Sequence, residues 1–236
     1  CKEAFKKRRD GRASPVLIVI IHPEGTTLCG TYGEEPRVFD VSETNQAERL
    51  CASALNKPNR NASIRFLADA MPSLETSLPG ISNEGFLSAH ELTYGTRNRN
   101  DWIVASDRAK SALGKSGKEL ISSLGFTTKP IDNLTKLLIA DEEHTAVAVL
   151  LNEDEAPEVG TERFNNVSPI SYALTKADKA HLSWVVMVEN DRIRIYNTKN
   201  IGIGRRGRTE TYVECQPALL SSNDIGFLWL LFSSEA

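Results

Sequence analysis

Apolar positions recur along this chain with two different periods, and the switches between them predict its elements. Val16 to His22 is a short apolar run of strand type, Pro23-Glu24-Gly25 is a turn signal, and Thr26 to Thr31 reads as the returning arm of a hairpin. Val38 to Val41 leads into Ser42, a helix-capping residue, after which Ala47, Leu50, Cys51, Ala54 and Leu55 recur at helical spacing. Asn61 to Met71 repeats that spacing with Ile64, Phe66, Leu67 and Ala70, and Pro72, Pro79 and Gly80 predict its end. Asn83 to Leu92 reads as a short helix carrying Phe86 and Leu87. The polar, basic run Tyr94 to Asn100 marks a boundary, so the chain divides near Asn100 into a strand-hairpin and helical subdomain, 1–100, and a second domain, 101–236.

The second domain opens with a predicted helix from about Ser106 to Leu124, closed by Gly125 in the position after the cap. Strands follow at Leu134 to Ile139 and Thr145 to Leu151, around the acidic turn Asp141-Glu142-Glu143-His144. The loop Asn152 to Asn166 carries five acidic residues: Glu153, Asp154, Glu155, Glu158 and Glu162. A helix over Pro169 to Ala180 precedes a strand pair within Trp184 to Tyr196, a strand near Thr211 to Glu214 and an apolar helix from about Asn223. The expected class is α/β, or α+β, with a mixed sheet flanked by helices.

Composition narrows the function. At 236 residues and 40% hydrophobic, the chain can bury a real core, and a formal charge of −3 excludes a uniformly basic polyanion binder. Positive charge is instead local: from Arg192 to Arg208 there are six basic residues and no acidic one. Gly202, Gly204 and Gly207 would let the backbone approach phosphates while Arg192, Arg194, Arg205, Arg206 and Arg208 bind them, which makes duplex DNA the expected partner; a solvated loop is the plain alternative. Cys1, Cys29, Cys51 and Cys215, and the four histidines, are too dispersed for a zinc site. The longest apolar run is too short to span a bilayer, so no membrane partner and a cytoplasmic location are expected. The opening Cys and the apolar closing segment predict that the chain continues in a longer polypeptide.

Two motifs bear on catalysis. Ala109 to Ser116 satisfies a relaxed phosphate-loop expression, but its intervening residues are helix formers and an amphipathic helix is the preferred reading. The order helix, strand, hairpin, strand, helix, strand pair is the order in which the PD-(D/E)xK nuclease core builds its site. There an Asp and a Glu hold Mg2+ and a lysine polarises the attacking water. Tyr172 to Ala180 with the two strands after it, and Asn83 to Leu87 with His90-Glu91-Leu92, resemble the N-terminal nuclease-like region of type IIG-like restriction-modification and phage-defence adenine DNA methylases, and Gly204 to Tyr212 with Gly226 to Phe232 is similar to the segment that precedes the methylase part of such proteins.

The resemblance implies a first carboxylate from Asp132 or Asp141, further acids from Glu153, Asp154 or Glu155, and Mg2+ held by Asp132 and Glu153 if the site is intact. Where the family motif would carry its lysine, this chain has Glu155, so a migrated Lys176 or Lys179 is required. An eroded nuclease fold, kept for DNA contact or scaffolding, is the other reading. No Pro-Pro pair exists for an adenine-methylase tetrapeptide. S-adenosylmethionine would therefore bind only in a C-terminal methylase domain of the same polypeptide. The alternative function is a noncatalytic protein interaction module.

Overall fold

The computed structural model describes residues 1–9, 17–32, 35–41, 43–152, 155–199 and 207–236. They form two compact units, Cys1–Gly80 with Ala218–Asp224, and Ile81–Pro217 with Ile225–Ala236.

The first unit contains helix α1 (Lys2–Arg9), strands β1 (Leu17–His22), β2 (Gly25–Tyr32) and β3 (Glu35–Val41), and helices α2 (Thr44–Leu55) and α3 (Arg60–Ser73). The three strands form an antiparallel sheet in chain order, with the β1–β2 turn closed by His22 opposite Gly25. Leu28, Phe39, Leu50, Phe66 and Met71 form its core, joined by Leu219 from the returning segment. That segment is tied down by the Gln46 amide and the Arg49 guanidinium, which donate to the carbonyls of Leu219 and Leu220. The side chain of Asn59 caps α3 at 3.0 Å from the Ala62 N–H. Pro72, expected to break α3, sits inside its last turn. The missing N–H costs one bond there, while Ala70 and Met71 are fully buried and hold the turn by packing.

The second unit is built on a seven-stranded sheet. Its elements are β4 (Ile81–Glu84), α4 (Trp102–Ala109), α5 (Gly117–Ser123), β5 (Thr127–Pro130), β6 (Thr135–Ala140), β7 (Glu143–Leu151), α6 (Pro169–Lys179), β8 (Trp184–Glu189), β9 (Arg192–Asn197), β10 (Tyr212–Cys215) and α7 (Gly226–Phe232). The strand order is β4-β10-β9-β8-β7-β6-β5, antiparallel except for β7 beside β8. A parallel pair cannot be closed by a tight turn, and α6 supplies the crossover. One face of the sheet presents Val147, Val149, Val185, Met187 and Tyr196 to Ile170, Ala173, Leu174 and Ala177 of α6. Their alternates, including Val186, Ile195 and Val213, face α7, which packs on α4 through an edge-on Trp102–Phe227 contact at 5.0 Å. The fold is thus mixed α/β, with helices against both faces of the larger sheet.

Three sequence expectations are corrected. Asn83 to Leu92 does not open as a helix: Ile81–Glu84 pairs with β10, on the N-terminal side of the division drawn near Asn100. The Asn83 carboxamide accepts from the Phe86 and Leu87 N–H groups at 3.2 and 3.0 Å, competing with helix formation, and Gly85 turns the chain at φ 69°. Helical structure begins only near Ala89 and ends as a π-helical turn over Glu91–Gly95. The single helix expected over Ser106 to Leu124 is two, because Gly114 lies at φ 75° and Gly117 at φ 52°, with the Gly117 N–H donating to the Asn190 carbonyl at 2.7 Å. The helix α4, and not a strand, precedes the phosphate-loop expression, whose Leu113 to Ser116 form a turn and a short connection instead of the expected amphipathic helix. Thr127–Pro130, unassigned from sequence, is an edge strand. Among the described residues no helix is long and apolar enough to cross a membrane.

Candidate functional site

The ordering α5-β5-β6-β7-α6-β8 places the β5–β6 hairpin loop and the residues of α6 on the same carboxylate, Asp132. Its Oδ1 accepts from the Leu134 N–H at 2.9 Å, the Thr135 N–H at 2.7 Å and the Thr135 hydroxyl at 2.8 Å. Its Oδ2 accepts from the Tyr172 hydroxyl at 3.0 Å and pairs with the Lys176 ammonium at 2.7 Å. Ser168 caps α6 and Pro169 starts it, which sets the helical phase that puts Tyr172 and Lys176 one turn apart on one face. Tyr172 is held edge-on by the buried Phe164, with ring centres 5.6 Å apart, and Lys176 Nζ lies 5.0 Å from the Tyr172 ring centre.

This environment fixes the charge states. Partial burial pushes the Asp132 carboxyl upwards, but the Lys176 ammonium and the Leu134 and Thr135 donors outweigh it and hold the group well below the usual carboxylate range. The bonds to Asp132 and Tyr172 raise the Lys176 ammonium above its ordinary value. Asp132 and Lys176 are therefore a charged pair across the neutral range.

A carboxylate offers about four lone-pair directions, and five donors already converge on Asp132. Mg2+ needs open oxygens from one or two carboxylates. Among the described residues no group of three His, Cys, Asp or Glu side chains could hold a metal, and the saturated Asp132 does not fit one.

Asp141 and Asp132 lie beyond opposite ends of β6. A strand of that length spans roughly 20 Å, so the two cannot share an ion. Asp141 and Glu142 form the β6–β7 turn at φ 48° and 67°, and Asp141 is exposed there. Glu153 and Asp154 lie outside the described residues. Glu155 is buried at 6% exposure and accepts from the Asn152 N–H at 2.8 Å and from the Arg163 guanidinium. Arg163 also donates to the Leu150 carbonyl at 3.2 Å, so the Glu155–Arg163 pair ties the loop after β7 to the strand end.

Among the described residues of the basic stretch, three arginines are engaged within the chain. Arg194 pairs with Glu214 on the neighbouring strand and with Glu158 at 2.6 Å, and its guanidinium lies 4.6 Å from the Tyr212 ring centre. Burial would lower this group, but Glu214 leads the interactions that raise it above its ordinary value; burial likewise pushes the Tyr196 phenol up. Arg192 Nε lies 3.6 Å from Glu214. Arg208 pairs with Asp178 at 2.9 Å and donates to the Thr198 carbonyl at 3.0 Å. Arg205 and Arg206 lie outside the described residues.

Sequence reasoning brought together Asp132 and Lys176 but missed Tyr172, Arg163, Glu158 and Glu214. Tyr172 was detectable as the i−4 neighbour of Lys176 on a predicted helix. The Arg194–Glu214 match needs the β9–β10 register, which puts Arg194 opposite Glu214. No family model, curated protein or solved structure matches this chain.

Proposed function

We propose that the second unit is a PD-(D/E)xK-type, nuclease-like domain whose metal site has been dismantled and which engages duplex DNA within a restriction-modification or phage-defence adenine methylase polypeptide. The observation that carries this reading is the acid–lysine pair: Asp132 precedes the second strand of a helix, three-strand, helix, strand unit, and Lys176 reaches it at 2.7 Å from the second helix. In this family the corresponding strand head supplies the first metal carboxylate. Here the ammonium and four further donors take the oxygens an ion would use, and Val147, Val149 and Leu151 contribute core contacts from the neighbouring strand.

Lys176 is neutralised by Asp132, and Arg192, Arg194 and Arg208 are ion-paired, so the proposed contacts to backbone phosphates are Arg205 and Arg206; such contacts give affinity without sequence preference. The test is incubation of the whole chain with supercoiled plasmid and Mg2+ or Mn2+, together with a gel-shift assay on duplex DNA. Binding at low salt without nicking is the expected result. Nicking that disappears in Asp132→Ala would overturn the dismantled site, and absence of any duplex binding would overturn the DNA reading.

One observation favours a second reading. Arg192, Arg194 and Arg208 are ion-paired within the chain, which removes three of the expected phosphate contacts and suits a noncatalytic protein interaction module. A partner held through apolar surface would bind with little salt dependence.

A further inference from the structure

At the end of the sheet where β7 and β8 begin, the second unit forms a half-open cavity of about 460 Å³ between the sheet and the C-terminal end of α7. That volume lies within the range of small-molecule sites, roughly 300–1,000 Å³. Its walls include Phe86, Trp184, Val186 and Phe232, and the Phe86 and Trp184 ring centres stand 6.0 Å apart at 41°. Trp184 is 37% exposed, a large aromatic surface left uncovered at the first residue of an otherwise buried strand.

The polar groups in this cavity are as informative as its walls. His144 and His181 enter it from the starts of the two parallel strands, together with Ser183, and no Lys, Arg, Asp or Glu side chain lines it. Among the described residues neither imidazole nor the Ser183 hydroxyl has a side-chain hydrogen bond or ion pair. His181 takes the left-handed conformation, φ 56°, that ends α6, with the Leu182 N–H donating to the Ala177 carbonyl at 2.9 Å. Two exposed imidazoles and a half-buried hydroxyl, each able to donate or accept, thus stand beside the tilted Phe86–Trp184 pair without a partner from the described residues.

We infer that this cavity is a binding site for an uncharged, fused heteroaromatic small molecule, stacked against Trp184 and Phe86 with its ring heteroatoms hydrogen-bonded by His144, His181 and Ser183. No Lys, Arg, Asp or Glu in the lining would pair with a charged ligand, and a purely aliphatic one would make no use of the donors and acceptors on His144, His181 and Ser183. The inference is independent of the DNA reading, because none of these residues belongs to the Asp132 cluster.

The test uses the whole chain labelled with nitrogen-15 and quinolin-2-one as the probe, following the indole N–H signals of its three tryptophans. The expected result is a saturable shift of the Trp184 signal with the Trp102 and Trp229 signals unmoved. His144→Ala combined with His181→Gly, in which glycine accepts the left-handed backbone, weakens binding roughly tenfold, as loss of one or two hydrogen bonds implies. Unchanged Trp102 and Trp229 signals report that the variant is folded; if it is not, His144→Ala alone carries the comparison, with a smaller loss. A Trp184 signal that does not shift, equal shifts of all three indoles, or unweakened binding by the folded variant would each overturn the inference.

Discussion

Five donors on one carboxylate give Asp132 a pH signature. Its folded-state affinity for protons is lower than in the unfolded chain, so its stabilisation is present above the unfolded value near 4 and is lost as pH falls towards the depressed folded value. Lys176 is shifted the other way: its contribution is complete below its unfolded value and disappears as pH rises through the raised folded one. Asp132→Ala should therefore cost about 2 kcal/mol at neutral pH, by urea unfolding, and flatten the fall in stability between pH 5 and pH 2. An unchanged acid limb would mean that the pair contributes nothing to folding. Glu155 gives a second residue-scale prediction. Glu155→Ala leaves the Arg163 guanidinium, 30% exposed, without its carboxylate, and should destabilise by about 2–3 kcal/mol, whereas Glu155→Ala with Arg163→Met should recover part of that loss.

Between elements, close approach decides what is tolerated. A Cβ on Gly226 would lie 2.7 Å from the Ser106 hydroxyl and 3.1 Å from the Trp102 ring, so α7 packs on α4 through a glycine. Gly226→Ala should cost about 1–3 kcal/mol, and Ser106→Gly in the same chain should lessen that cost, a coupling measurable by a double-mutant thermal-unfolding cycle. The elements most legible in the sequence were those with unbroken periodicity: β1, β7, α6 and the β8–β9 hairpin. Local signals marked some ends: Ser168-Pro169 starts α6, and Gly125, at φ 91°, follows α5. The failures came where local side-chain bonding or a glycine overrode spacing, at Asn83, Gly114 and Gly117. β5 has no apolar residue apart from Pro130, so only its pairing with β6 identifies it. The candidate site was half legible for the same reason: Asp132 and Lys176 could be proposed from element order, but the register that neutralises Arg194 with Glu214 could not.

For the molecule as a whole, the charge distribution is the property that bears on partners. A local surplus of arginines suggested a phosphate-binding surface, but carboxylates from Glu158, Asp178 and Glu214 absorb Arg192, Arg194 and Arg208. Duplex binding by this chain should accordingly be modest, with a salt dependence corresponding to a few phosphate contacts rather than to the full basic stretch. The measurement that tests the central claim most directly is fluorescence-anisotropy titration of a labelled DNA duplex with the whole chain, from low to near-physiological salt, repeated with Arg205→Ala combined with Arg206→Ala. The logarithm of the binding constant is predicted to fall linearly with the logarithm of salt concentration, and the double substitution to reduce that slope by about 2. Binding that ignores salt, or a slope unchanged by loss of both arginines, would contradict the DNA reading.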